Sequence, residues 1–408
     1  MRVSVRLNST SLIKFLIFIY IFATLVWSSY SETRGLYYIS ALVLGISLLL
    51  DMFIRHVKFL ASKYHFAFAL FLLMGLVSII WSTNRANTME QCQSLMINFL
   101  FSALILNYIL NNQLQLDYIK TICAVGICMS LYLLMTEGIS TIFYSLSQGL
   151  RIGKSLGNEN VLGVFSAISA TISLFYIKYE KKNYHWLFLP ITSFVSLGSG
   201  SRMAFIILLI GLVGIYVLNM SLRNAAVLII RIIAVLAIIY LIINLPIFFA
   251  VKNRVLDLVG LVQTHDTANR SLTNRSIMIQ RGIEGFLNQP FTGVGLGNTG
   301  VLIRGFTVGH QYFYLHNNYI ELLASIGVFG FLSYYSIYYY GIKNIINILK
   351  NEKDNVLMKL IILICILMLI NEFSNITYYK SIYFSLFIIP YMFIDDNRKE
   401  ISSSKSRR

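Results

Sequence analysis

A chain of 408 residues that is 57% hydrophobic and only 12% charged exceeds the apolar share of a soluble domain, which is roughly 45–50%. That excludes a soluble globular reading; apolar runs of about 20 residues joined by short connectors point instead to one integral membrane domain over 1–408. The net charge of +16 would suggest nucleic-acid binding in a soluble protein, but here the cations lie mostly between apolar runs, where membrane orientation accounts for them and no nucleic acid is implied.

In chain order, apolar runs predict helices over 12–28, 36–54, 65–82, 93–110, 118–136, 161–178, 184–198, 203–219, 225–245, 318–342, 356–372 and 378–394. The fold class is therefore an all-α integral membrane protein of about twelve transmembrane helices. Arg2, Arg6 and Lys14 flank the first run as in a signal peptide, but no small-x-small cleavage site follows Trp27, so the run is kept as a span. Trp27, Trp81 and Trp186 sit near run ends, at the headgroup level that amphipathic rings prefer. Cys92, Cys123, Cys128 and Cys365 fall in apolar segments without metal-type spacing and read as small packing residues.

With the N-terminus inside, cytoplasmic connectors collect most of the Lys and Arg, among them Arg55, Lys58, Lys63, Lys178, Lys181, Lys182, Lys343, Lys350, Lys353 and the basic tail over 395–408. The short outer loops carry Arg34, Arg85, Arg151, Lys154, Arg202 and Lys380. That bias predicts both termini in the cytoplasm. The stretch 246–316 then becomes one long extracytoplasmic loop, expected to hold partial helical order with a basic amphipathic segment around Arg275 to Leu287.

Four polar stretches carry candidate chemistry. In LHNNYIELLASIGVFGF, His316 precedes a helix that Asn317 and Asn318 can cap; the helix's positive end favours neutral imidazole, suited to a general base, although an interfacial histidine bonded to loop carbonyls explains the position as well. In LGSGSRMAF, Arg202 opens a helix after a glycine-broken turn, as a phosphate site or as an anchor snorkelling to headgroups. In GNENVLG, Asn158 and Asn160 form a capping cluster that could also face sugar hydroxyls. In NRSIMIQRGIEGFLNQPFTGVGLGN, Arg275 precedes Gly295, Gly297 and Gly300, whose GxGxxG spacing reads as a tight turn rather than a dinucleotide site, because no strand precedes it. Tyr334, Tyr335, Tyr338, Tyr339 and Tyr340 read as an aromatic belt. Without a Walker A, HExxH or DxD-type pair, any catalysis is expected to be independent of metal and cofactor.

Taken in order, these four stretches resemble the O-antigen ligase and polysaccharide polymerase family over roughly 155–335, with Glu159 standing where that pattern has proline. The resemblance implies a membrane-embedded glycosyltransferase of the bacterial cytoplasmic (inner) membrane that takes a glycan from undecaprenyl diphosphate on the outer face. Arg202, Arg275 and His316 match the family's functional positions, with Asn158, Asn160 and Asn317 as further substrate-binding candidates. The expected partners are an undecaprenyl-diphosphate-linked oligosaccharide, an acceptor glycan or glycolipid, and membrane lipids. The preferred role is polymerising O-antigen or capsule repeat units; ligation to lipid A core or another terminal acceptor is the alternative, and a lipid-linked oligosaccharide flippase is the rival of another class. Charges at mid-helix depth would favour the flippase, whereas most charges here lie at helix ends, Glu321 and Glu372 within about a turn of the outer surface.

The charge asymmetry makes a direct prediction. Ser271→Cys and Gly305→Cys should react with an impermeant thiol reagent in intact cells, while Asn183→Cys and Asn351→Cys should stay unlabelled. Labelling at 183 without labelling at 271 would invert the topology.

Overall fold

An apolar chain in lipid must satisfy its backbone internally, and helices do so within one segment. The computed structural model describes residues 9–148, 150–218, 230, 233, 270–303 and 314–393, and among these no strand occurs. The helices are α1 (Ser9–Val26), α2 (Ser31–Ile54), α3 (Lys63–Val77), α4 (Arg85–Asn112), α5 (Gln115–Glu137), α6 (Ile139–Ser147), α7 (Glu159–Lys178), α8 (His185–Gly198), α9 (Arg202–Val217), α10 (Arg270–Asn288), α11 (Asn318–Asn351), α12 (Val356–Asn371) and α13 (Ser381–Phe387). Seven described helices are long and apolar enough to cross a membrane, and Val356–Asn371 is among four shorter apolar ones. The chain is a multi-pass membrane protein.

The predicted helix 225–245, apart from residues 230 and 233, and the tail 395–408 lie outside the described residues, as do 246–269 and 304–313 of the predicted long loop. Every other predicted run meets an apolar helix. The last run, expected from 378, starts helically only at Ser381, because the residues before it are taken up by the polar contacts described below. On α2, Leu42, Ile46, Leu49 and Phe53 are exposed while Leu44 and Leu48 are buried, a one-sided apolar surface that suits lipid rather than water.

The helices divide into two units, one from Met1–Leu60 with Leu104–Lys252, the other from Ala61–Ala103 with Asn253–Arg408. In the first, α7 is buried along almost its whole length among α5, α8 and α9. Its Gly163, Ala167, Ser169, Ala170 and Ser173 are small enough to let neighbouring backbones approach, as membrane helices require in the absence of a hydrophobic driving force. In the second unit, α11 packs against α3, α10 and α12.

Helix α11 is two helices joined at Gly327, whose backbone has φ 67° and ψ −172°. Hydropathy continues through this point, so the sequence reads it as unbroken. The break frees backbone groups that lipid cannot satisfy, and the glycine loop after α10 supplies partners. The Val294 and Gly295 amides donate to the Ala324 and Ser325 carbonyls at 3.0 and 2.8 Å, and the Val328 amide donates to the Pro290 carbonyl at 2.9 Å. The loop is fixed in turn by Asn298, whose side-chain amide donates to Ser82 and Thr88 at 2.6 and 2.8 Å, and by the Trp81 indole, which donates to the Thr292 carbonyl at 2.8 Å. The glycine cluster is therefore a tight turn, as its sequence context suggests, and it closes a broken helix, which the sequence does not show.

At Gly327 the dihedrals belong to a region that essentially only glycine visits, and a Cβ would press on the Phe291 and Pro290 carbonyl oxygens. Gly327→Ala should cost about 1–3 kcal/mol in backbone strain before the clash is counted. The check is a thermal-unfolding midpoint in detergent; a midpoint equal to wild type would show that the break is not built into the backbone.

Candidate functional site

Helix α10 is amphipathic, and its inward side reads Arg275, Met278, Gly282, Gly285. Met278 packs with Ile303, Leu315 and Ala324, against which Leu302 and Ile320 also lie. The two glycines let α10 lie close, since a Cβ at Gly282 would meet Leu315 and Ile320, and one at Gly285 would meet Leu302. This packing holds Arg275 half-buried, with Nη1 donating to Ser374 Oγ at 2.9 Å.

Ser374 belongs to the segment 372–380 between α12 and α13, which is organised by a buried carboxylate. Glu372 is fully buried and accepts from the hydroxyls of Tyr334 (2.8 Å), Tyr338 (2.6 Å), Tyr335 and Thr377 (2.7 Å), and from the Asn318 side-chain amide at 3.1 Å. Three of the five tyrosines expected to form an aromatic belt are thus donors to one acid. Tyr338 lies one helical turn beyond both Tyr334 and Tyr335 on α11, which brings it beside them. Tyr339 alone keeps the exposed, belt-like setting among the described ring exposures. Both acids placed near the outer surface by sequence are buried. Glu321 accepts from Thr299 Oγ1 at 2.7 Å and from the Leu315 amide at 2.9 Å.

The same network sets the start of α11. Asn317 caps the helix, its Oδ1 accepting from the Ile320 amide at 3.1 Å. Asn318 has its amide on the Glu372 carbonyl at 2.8 Å and its Oδ1 on the Thr377 amide at 3.1 Å. Immediately before these, His316 adopts a left-handed backbone with φ 55°, a conformation that costs a non-glycine residue on the order of 1 kcal/mol or more and is kept where surroundings enforce it.

The His316 ring lies 4.4 Å from that of Tyr314, centroid to centroid, and the Lys380 ammonium stands 5.9 Å over the other ring of this pair, Tyr314. Burial, then the charges of Arg275 and Lys380, push the His316 imidazole down to about 4. It is therefore neutral near pH 7, as the sequence suggests, but through desolvation and two cations rather than a helix end. Burial also lowers the Lys380 ammonium to about 8. Among the described residues no ion pair engages Arg275 or Lys380. Among the described residues, the site combines positive charge that no carboxylate pairs with and a neutral titratable base.

In the first unit, Asn158 caps α7 by accepting from the Asn160 and Val161 amides at 3.0 and 3.4 Å. Asn160 Oδ1 accepts from Arg151 at 2.7 Å, and Arg151 Nε donates to the Ser199 carbonyl at 2.6 Å. Ser201 caps α9, accepting from the Ala204 amide at 3.3 Å, so that Arg202 is the first residue of that helix. Arg151 therefore fastens the start of α7 to the turn that delivers Arg202. The six predicted residues fall into two groups: Asn158, Asn160 and Arg202 at this corner, and Arg275, His316 and Asn317 in the second unit.

Sequence reading singled out neither Arg151, Ser374 nor Lys380 as functional. Arg151 and Lys380 register there only as outer-loop charges, and nothing local marks their partners. Among the described residues no three His, Cys, Asp or Glu side chains converge as metal ligands.

Residues 186–335 match the family model described as O-antigen ligase. That stretch contains Arg202, Arg275, His316 and Asn317, while Asn158 and Asn160 lie before it. No curated protein matches the chain.

The depressed basicity of His316 is directly measurable. Diethylpyrocarbonate attacks neutral imidazole, and a histidine titrating at about 4 remains about nine-tenths neutral at pH 5, where an ordinary one near 6.5 is only about 3% neutral. The rate of His316 modification, followed by mass spectrometry of its peptide and corrected for reagent hydrolysis, should stay nearly level from pH 7 to 5. A fall of tenfold or more over that interval would refute the depressed value.

Proposed function

We propose that this chain is a glycosyltransferase-type enzyme of the O-antigen ligase and polysaccharide polymerase family that moves a glycan from undecaprenyl diphosphate to an acceptor sugar on the extracytoplasmic face, a reading supported by the match of residues 186–335 to the O-antigen ligase family model. The observation that carries this reading is the pairing of Arg275, a cation oriented by Ser374 and free of carboxylates among the described residues, with His316, an imidazole held neutral beside it.

In the proposed step the acceptor hydroxyl attacks the anomeric carbon, its proton passes to His316, and the bond from that carbon to the phosphate oxygen breaks. Undecaprenyl diphosphate leaves with the bonding electrons, and the anomeric configuration inverts. Arg275 stabilises the charge developing on the departing diphosphate, the larger contribution in such reactions, and acid–base help adds about 10²–10⁴-fold. Arg202 is assigned to anion binding by its match to the family pattern. Asn158, Asn160 and Asn317 are assigned to holding the backbone around these groups, because their side-chain oxygens already serve as a cap, an Arg151 acceptor and a cap. We favour a repeat-unit polymerase, supported by composition and compact size, over transfer to a lipid A core.

Reconstituted full-length protein given undecaprenyl-diphosphate-linked repeat units should yield a ladder of glycans; a ligase would instead make one transfer to a separate acceptor. His316→Ala should lower turnover about 10²–10⁴-fold with donor binding nearly intact, and His316→Gln should not restore it, since an amide cannot take a proton. Arg275→Lys should recover little, because an ammonium lacks the guanidinium fork. A glutamine variant at wild-type rate would remove the base role.

A further inference from the structure

Lys380 closes the segment that begins at Glu372, and the reading above gives it no task. We propose that Lys380 is a third anion-binding group of this enzyme, contacting the diphosphate of the lipid-linked donor alongside Arg275; this rests on the glycosyltransferase reading.

Its backbone is fixed from several sides. The Asn98 side-chain amide donates to the Tyr379 carbonyl at 2.9 Å, the Lys380 amide donates to the Thr377 carbonyl at 3.2 Å, and Thr377 is itself held by Glu372 and Asn318. A lysine meant only to reach headgroups would extend its long stem outward. This one lies over the Tyr314 ring at 5.9 Å, close enough to His316 for its charge to weaken that imidazole as a base.

Among the described residues, the acids of this region are committed elsewhere. Glu372 takes four hydroxyls and an amide, Glu321 takes Thr299 and the Leu315 amide, and Glu284 pairs with Arg281 at 3.1 Å. A partly desolvated ammonium with no carboxylate among the described residues is costly, and a bound anion removes that cost. The segment 372–380 thus carries both the serine that orients Arg275 and a second cation directed toward the same aromatic pair. A diphosphate bears more negative charge than one guanidinium neutralises, which is the ligand chemistry this arrangement fits.

The test uses the full chain in lipid nanodiscs, with wild type, Lys380→Met, Lys380→Arg and Arg275→Ala compared for initial rate against undecaprenyl-diphosphate-linked donor and for inhibition by undecaprenyl diphosphate. Loss of one charged contact should raise the donor KM and the inhibition constant about 10- to 100-fold in Lys380→Met, with a smaller change in kcat. Lys380→Arg should recover most of that loss, and both variants should melt near wild type. Wild-type KM and inhibition in Lys380→Met, or a defect in kcat alone, would overturn the inference while Arg275→Ala still reports the diphosphate site. A methionine defect that arginine fails to rescue counts against it as well. If wild type itself neither extends the donor nor is inhibited by undecaprenyl diphosphate, the glycosyltransferase reading falls instead.

Discussion

The second unit is organised around one desolvated carboxylate. Among the described residues no cation pairs with Glu372, so its buried oxygens are tolerable only while they are filled by donors. Those donors come from three places: Tyr334, Tyr335 and Tyr338 beyond the break in α11, Asn318 before it, and Thr377 five residues ahead of Glu372 itself. A single acid thus ties both halves of the broken helix to the segment that follows α12. Each attachment has a consequence at the site. Asn318 fixes the chain next to the left-handed His316, and Thr377 fixes the turn that presents Ser374 on one side and Lys380 on the other.

This arrangement separates the charges. Glu372 and Glu321 are satisfied by hydroxyls and amides, so they do not cancel the field of Arg275 and Lys380. Had either acid paired with Arg275, only the Lys380 charge would remain to act on His316. Preorganised positive charge that needs no rearrangement when an anion arrives is the most effective form of electrostatic catalysis. The cost of leaving these cations without a carboxylate among the described residues is offset by rigid packing: α10 sits on Leu315 and Ile320 at Gly282 and on Leu302 at Gly285, and the glycine loop closes the backbone groups left open at Gly327.

The helices were legible because apolar length is a strong signal, and the predicted helices that fall on described residues meet helices there. Their cores are set by long runs, so boundary errors of a few residues matter little. His316 and Asn317 stood out in the sequence because they stand where a polar stretch meets a helix, and Arg275 because it lies in a basic amphipathic segment. The break at Gly327 was not, since Ile326 and Val328 keep hydropathy high across it and the partners that satisfy it come from Pro290 to Gly295. Lys380 and Ser374 were hidden for a related reason: their roles depend on Tyr314 and Arg275, distant in sequence. The tyrosines misled because spacing shows that Tyr334, Tyr335 and Tyr338 can share a face, but not that an acid after the next helix faces them. Arg151 behaves likewise, its importance resting on Asn160 and Ser199 together.

The low basicity of His316 bears on the chemistry proposed for it. A base titrating at about 4 is always available near pH 7 but has little appetite for a proton. Two of the causes of that value are the charges of Arg275 and Lys380, and both would be offset by a bound diphosphate, whose own negative charge favours the imidazolium. On the proposed reading, the donor therefore strengthens the base that acts on the acceptor. Before a donor binds, His316 is neutral near pH 7; with a diphosphate in place the imidazolium formed during transfer would sit beside an anion as well as the two cations. The same charges that bind the leaving group would then make proton removal contingent on its presence, which couples the two halves of the reaction without any moving part.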